Sequence, residues 1–149
     1  MTSCSLDDAR KLVPLDHGLA TVSTTRDDGA VQSTVVHAGV VTHPVTGEDV
    51  AAFVARGGTA KIRYLRERPV ATVLWRAGWA WVAVEGRVDL CGPDDPLPGV
   101  DAEGAAALLR EICRAAGVIE DDWDEYDRVA AAERRTAVLV SPRRLYRNP

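Results

Sequence analysis

The side chains best suited to chemistry in this 149-residue chain lie at positions 55–69, which read A-R-G-G-T-A-K-I-R-Y-L-R-E-R-P. From position 56 to position 76 there are six basic residues and one acid, Glu67, although the whole chain carries a net charge of −4. The Gly-Gly pair allows a tight turn, and Thr59 is a good N-cap for a helix whose first turn contains Lys61. A helix N-terminus beside a lysine attracts anions, so the segment predicts a site for a phosphate or carboxylate group.

Lys61 also has a simpler interpretation, as a solvated lysine on a surface helix. The segment G-G-T-A-K lacks the spacing of a P-loop, and the chain contains no G-x-G-x-x-G fingerprint of a dinucleotide site. The pattern therefore favours a small anionic ligand or cofactor without specifying a nucleotide.

Other reactive residue types form no catalytic pattern. His17, His37 and His43 lack metal-ligand spacing, and no serine lies in a G-x-S-x-G elbow. Cys91 and Cys113 fit small buried apolar residues. We therefore predict no metal site and no catalytic side chain, as expected where a cofactor carries the chemistry.

Composition limits the class of protein. Apolar residues make up 46% and charged residues 27% of the chain, as in ordinary soluble domains, and no apolar run is long enough to span a membrane. The N-terminus lacks the pattern of a secretory signal, and three irregularly spaced cysteines fit reduced thiols. A net acidic chain argues against nonspecific nucleic-acid binding. We expect one cytoplasmic domain over residues 1–149, with no nucleic-acid or membrane partner.

Hydrophobic periodicity predicts about six strands and a few helices. The strands are expected at 18–25, 31–42, 50–55, 70–76, 79–90 and 136–140, and the helices at 6–12, 59–66, 105–116 and from 122 onward. This order predicts an α+β fold that is mainly β, built as an antiparallel barrel. In the fifth strand Trp79 and Trp81 share a face, which we expect to lie under another subunit or a ring-shaped ligand.

Several segments together resemble a known family. They are L-A-T-V-S-T-T-R-D-D-G at 19–29, T-A-K-I-R-Y-L-R-E-R-P at 59–69, G-W-A-W-V-A-V-E-G-R-V at 78–88, D-W-D-E-Y at 122–126 and R-R-T-A-V-L-V-S-P-R-R-L-Y at 134–146. The chain resembles the split β-barrel flavin and deazaflavin oxidoreductases, the superfamily of pyridoxamine 5′-phosphate oxidase. It is most similar to the actinobacterial branch that uses the deazaflavin coenzyme F420. This resemblance implies a six-stranded antiparallel split β-barrel with flanking helices.

The resemblance also implies a homodimer with cofactor sites at its interface. Lys61 would hold the phosphate of coenzyme F420, or of FMN as the alternative, and Arg56 would meet the anionic tail. Trp79 and Trp81 would approach the ring from either subunit. The full set of implied cofactor-binding residues is Gln32, Val35, Val36, Val54, Arg56, Thr59, Ala60, Lys61, Trp79 and Trp81.

Two positions depart from the family pattern: Thr59 stands where many relatives carry arginine, and Val35 lies where a polar residue is frequent. The implied activity is hydride transfer from reduced F420 to a small conjugated or quinone-like organic acceptor. Two alternatives stay open. One is an FMN-dependent oxidase or reductase of the same fold, and the other is a non-enzymatic dimer that binds the coenzyme or a tetrapyrrole.

Overall fold

A computed structural model describes residues 3–149. Its helices are α1 (Leu6–Leu12), α2 (Ala60–Glu67), α3 (Ala102–Ala115) and α4 (Trp123–Ala132), with a 3-10 turn at Val13–Asp16. Its strands are β1 (Leu19–Thr25), β2 (Val31–Thr42), β3 (Asp49–Ala55), β4 (Val70–Ala77), β5 (Ala80–Cys91) and β6 (Thr136–Arg147). Within the described range, no helix combines the length and apolar character needed to cross a membrane.

The strands close into a barrel in the order β1-β2-β3-β6-β5-β4, and every neighbouring pair is antiparallel. The predicted fold class, a mainly β six-stranded antiparallel barrel with flanking helices, is thereby confirmed. Most predicted element boundaries lie within a few residues of the observed ones.

The core has two parts. Inward side chains of the strands fill the barrel, where α1 contributes Leu6 and Leu12 and α2 contributes Ile62 and Leu65. Trp75 lies inside this cluster, and its indole Nε1 donates a hydrogen bond to the Ala38 carbonyl oxygen at 3.0 Å, which satisfies its only polar group. The second part lies where α3 packs on β2, β3 and β6, and Tyr126 and Ala130 of α4 complete it.

The last strand is longer than the sequence predicts. The expected end of β6 is Val140, because Pro142 cannot donate to a ladder, yet the strand continues to Arg147. The ladder accommodates the proline by a register shift between Glu85 and Gly86, with Gly86 opposite Pro142 and Glu85 opposite Arg144. The fifth strand begins one residue later than predicted, since Trp79 lies in the turn before β5.

The barrel is closed, but β2 and β3 pair over only part of their length. The β2–β3 ladder runs only from Ala38 opposite Phe53 to Thr42 opposite Asp49. Residues 31–37 of β2 pair with β1 alone among the described strands. β3 continues beyond the ladder to Ala55, and α2 begins shortly after it. This split leaves backbone groups of β2 available beside the end of β3.

Candidate functional site

A cavity of about 580 Å³ lies beside the split, between β2, the end of β3 and the helices α3 and α4. Its wall is formed by Val35, Val36, His37, Val54, Arg56, Ile112, Cys113, Ala116, Val118, Glu120, Tyr126, Glu133 and Arg135. The volume is in the range of small-molecule sites. Its lining combines apolar side chains from the strands and α3 with charged side chains.

Four of the ten predicted cofactor residues meet in this cavity: Val35, Val36, Val54 and Arg56. Val35 points away from the barrel interior and is 66% exposed. Because β2 and β3 have separated at this point, side chains from both strands can face the same space.

Arg56 is already bound to the Glu133 carboxylate, which no sequence motif indicates. Its Nε and Nη2 donate to Glu133 at 3.1 and 3.0 Å, and Arg135 Nε donates to Glu133 Oε2 at 3.0 Å. The hydrogen bonds from Arg56 and then Arg135 lower the pKa of Glu133 to about 2. We call these three residues the Arg–Glu–Arg bridge; all of them line the cavity.

The backbone fixes this bridge in place. α4 ends in a Schellman pattern, in which Arg135 N donates to the Ala130 carbonyl at 2.9 Å and Arg134 has a positive φ of 52°. Glu133 and Arg135 flank that left-handed residue. Arg56 reaches the same place because Ala55 pairs with Thr136 at the end of the β3–β6 ladder.

A neutral phenol lies at the inner side of the cavity. Cys113 Sγ donates to Tyr126 Oη at 3.0 Å, and the Arg135 guanidinium lies 5.2 Å from the centroid of the Tyr126 ring. Burial, followed by the Cys113 contact, raises the pKa of Tyr126 well above its ordinary value. Tyr126 therefore stays protonated and can act as a hydrogen-bond donor, not as a base. Sequence periodicity places it only on one side of a helix.

Lys61 lies in the first turn of α2, and its Nζ is 5.6 Å from the centroid of the buried Phe53 ring. Burial alone lowers the pKa of its ammonium group. Thr59 is the N-cap residue, but its hydroxyl donates to the Arg56 carbonyl oxygen at 3.1 Å and does not cap the helix. The first turn of α2 thus combines a half-buried cation with amides that no side chain of the described residues caps, which suits an anion.

Thr59, Ala60 and Lys61 do not line the 580 Å³ cavity, although they follow Arg56 by only a few residues. Gln32 lies at the start of β2 opposite Thr24. The buried hydroxyls of Thr24 and Thr34, on the same side of β1 and β2, have no hydrogen-bond partner within the described chain. Unused polar groups therefore lie on the same side of β1 and β2 as Gln32.

The two tryptophans lie elsewhere in the chain. Trp79 is 88% exposed in the β4–β5 turn, and Trp81 lines a separate cavity of about 350 Å³ with residues of α1 and the C-terminus. Trp81 also stacks edge-on against Tyr146, with ring centroids 6.0 Å apart. One subunit does not bring them to the Val35–Val54 wall, so their predicted contact with a ring stays a prediction.

A further, mainly apolar cavity of about 410 Å³ separates α3 and α4 from the loop after β5. It is lined largely by alanines and prolines with Leu97, Val100 and Leu109, and Arg135 contributes to both this cavity and the larger one. No sequence pattern predicts this cavity, since its lining comes from three separate segments.

No protein-family model and no curated protein matches this sequence. Solved structures do match. A conserved hypothetical protein from Mycobacterium tuberculosis superposes with a TM-score of 0.66 at 17% identity, over 97% of this chain and 84% of that one. An F420 reductase superposes with a TM-score of 0.61 at 16% identity, over 92% of this chain and 94% of that one.

A pyridoxamine 5′-phosphate oxidase-related, FMN-binding protein from Nostoc punctiforme gives a TM-score of 0.58 at 14% identity, over 95% of this chain and 79% of that one. Identities this low establish the arrangement of the strands and helices. The chain has the split β-barrel fold found in F420 reductase and in FMN-binding proteins related to pyridoxamine 5′-phosphate oxidase.

Proposed function

We propose that the protein is an oxidoreductase that binds reduced coenzyme F420 and reduces a small conjugated or quinone-like organic molecule. The observation that carries this proposal is that a cavity and the start of a helix follow each other along the chain at the place where β2 and β3 separate. An apolar-walled cavity opens beside the end of β3, and the chain then enters a helix whose first turn holds a half-buried lysine without a carboxylate partner among the described residues.

The residues present fit a ligand that joins a flat ring to a phosphate. Val35, Val36 and Val54 offer an apolar wall for the ring. Lys61 and the amides at the start of α2 would hold the phosphate. The buried hydroxyls of Thr24 and Thr34, which do not line this cavity, are further polar groups without a partner in the described chain. When bound, the deazaflavin would supply the hydride.

The protein's own contribution is position and electrostatics. The described side chains of the cavity include no activated nucleophile, and Tyr126 is held in its neutral form. The apolar wall would exclude water from the reacting face. Arg56 and Arg135 line the same cavity and share the single carboxylate of Glu133, so the three carry a net positive charge that would stabilise negative charge developing on the acceptor.

We further propose that two copies of the chain associate through the barrel face that the helices leave uncovered. Val31 and Val35 on β2 and Val70 on β4 are large exposed apolar residues on this face. Val35 also lines the cavity, so a second copy seated there would border the site. Such a dimer would allow Trp79 and Trp81 of the partner subunit to approach the cavity.

A fluorescence titration of the purified protein with coenzyme F420, run beside FMN, tests the proposal. Micromolar binding of F420 with much weaker binding of FMN supports the deazaflavin reductase. Preference for FMN would indicate the FMN-dependent alternative. Tight binding of F420 without turnover of any quinone or conjugated acceptor would indicate a coenzyme-binding protein, and binding of neither would overturn the cofactor assignment.

A further inference from the structure

Glu133 accepts hydrogen bonds from both guanidinium groups that line the 580 Å³ cavity, which we call the main cavity. It accepts from Nε and Nη2 of Arg56 and from Nε of Arg135, all at 3.0–3.1 Å. The Arg56 side chain is 69% exposed, whereas those of Glu133 and Arg135 are 25% exposed. The carboxylate therefore lies between one guanidinium at the rim and another deeper in the wall.

The bridge belongs to the cavity and not to an unrelated surface. All three residues line it, and each is attached to a fixed element: Arg56 to the end of β3, Glu133 to the end of α4 and Arg135 to the start of β6. Gly57 N also donates to the Glu133 carbonyl oxygen at 3.1 Å, which joins the two turns. Charge-assisted bonds between such fixed groups are stronger than those of mobile surface pairs.

We propose that Glu133 is a specificity-determining residue: it acts as an internal counter-carboxylate that an anionic ligand group must displace to reach Arg56 and Arg135. This inference rests on the proposed function, since it concerns the same cavity. With Glu133 in place, two guanidiniums share one carboxylate, and the cavity disfavours a carboxylate or phosphate at this end. A ligand whose anionic group binds at Lys61 does not have to displace Glu133, so its affinity is not lowered.

The test compares Glu133→Gln with Glu125→Gln. Both variants remove one negative charge from α4 or its C-terminal end, and Glu125 is also paired with an arginine, Arg128, through a 2.8 Å hydrogen bond. Glu125 does not line the cavity, so it serves as the matched control. Backbone hydrogen bonds hold the turn at Glu133, so Glu133→Gln leaves it in place.

The probe is inorganic pyrophosphate. Its binding affinity is measured by NMR from the changes in the signals of the arginine side-chain Nε–H groups. We expect Glu133→Gln to bind pyrophosphate at least fivefold more tightly than wild type, with shifts in the Arg56 and Arg135 signals, while Glu125→Gln stays at the wild-type value. Adding Arg56→Gln to Glu133→Gln should remove most of the gain. Equal affinities of the two glutamine variants would overturn the inference.

Glu133→Asp provides a second variant if the glutamine variant does not fold. Aspartate keeps the charge, but its side chain is too short to span both guanidiniums, so we expect an affinity between those of wild type and Glu133→Gln. An affinity below that of wild type would contradict the inference.

A parallel titration with coenzyme F420 separates the two proposals. A gain in pyrophosphate affinity without any coenzyme binding would leave Glu133 as an anion-selecting residue and overturn the proposed function. Coenzyme binding that is the same in Glu133→Gln and Glu125→Gln, with no difference for pyrophosphate, would retain the function and overturn the role of Glu133.

Discussion

Gly57 lies so close to Arg134 that a Cβ atom at position 57 would be 2.6 Å from the Arg134 carbonyl oxygen and 2.8 Å from the Arg134 Cβ. The turn after β3 and the turn before β6 are thus in direct backbone contact. This contact places Arg56 beside Glu133, although the two residues are 77 positions apart in the chain. The glycine is required by this close approach, since its φ is not in the left-handed region.

Gly57→Ala should therefore destabilise the protein by about 1–3 kcal/mol, the usual cost of forcing a methyl group into a packed contact. Urea unfolding measures the change. Gly58→Ala is the control: Gly58 has a φ of 79°, and no atom lies within 4 Å of the place a Cβ would occupy, so that variant reports backbone strain alone. If Gly57→Ala unfolded at the wild-type urea concentration, the two turns would not be in contact.

Lys61→Ala should weaken coenzyme binding at least tenfold and leave the fold intact. The ammonium group is half-buried without a carboxylate partner in the described chain, so its removal breaks no ion pair there. Fluorescence titration measures the affinity, and far-ultraviolet circular dichroism checks the fold. Arg63→Ala removes another cation from the same helix, where it lies over Tyr64, and should change the affinity little. Unchanged affinity in Lys61→Ala would place the phosphate elsewhere.

Coenzyme affinity should also fall as the pH rises toward the ordinary lysine pKa of 10.5. Burial lowers the pKa of Lys61, so the ammonium form that attracts a phosphate is present below this lowered pKa and is lost above it. In Lys61→Arg the guanidinium stays charged throughout this range, and the affinity should be constant with pH. Parallel binding curves at alkaline pH test the difference; an equal decline in both proteins would assign the effect to another group.

Local signals in the sequence predict local features of this protein well. The helix predicted from position 122 onward begins there, where the Asp122 carboxylate accepts a hydrogen bond from Glu125 N, because a cap depends on neighbours along the helix. The helix predicted at 105–116 from hydrophobic periodicity corresponds to α3, in which Leu108, Leu109 and Ile112 are buried. Alternation of apolar residues likewise locates all six strands, since one face of each must fill the barrel.

Features that depend on distant segments are not predictable in this way. In the sequence, Glu133 is an ordinary charged residue near the end of a helix, and nothing in its position indicates a role. The pairing of β3 with β6 brings it to Arg56. β6 continues beyond Pro142 because of a register shift opposite Gly86, which a proline rule applied to one strand cannot foresee. Tyr126 enters the cavity through the packing of α4 on α3, and its spacing alone indicates only a core position.

Thr24→Val should leave the stability unchanged or raise it by about 1 kcal/mol. The Thr24 hydroxyl is buried and has no partner in the described chain, so valine removes an unsatisfied polar group at nearly constant volume. Thr136→Val is the matched control, because the buried Thr136 hydroxyl donates to the Arg134 carbonyl at 3.3 Å and should cost about 1 kcal/mol when removed.

Urea unfolding of both threonine variants without ligand gives the comparison, and coenzyme titration of Thr24→Val adds a second readout. Stabilisation together with weaker coenzyme binding would assign the hydroxyl to the ligand site. A clear loss of stability in Thr24→Val, comparable to that of Thr136→Val, would show that the hydroxyl has a partner in the folded protein.

Val31→Glu should convert the proposed dimer to a monomer. Val31 is 64% exposed on the uncovered barrel face and does not line the main cavity, so a charge there would oppose a second copy without entering the site. Sedimentation velocity measures the association state. Val45→Glu is the control, since Val45 is 53% exposed but lies in the loop between β2 and β3. A wild-type protein that sediments as a monomer, or a Val31→Glu variant that still sediments as a dimer, would exclude this face as the interface.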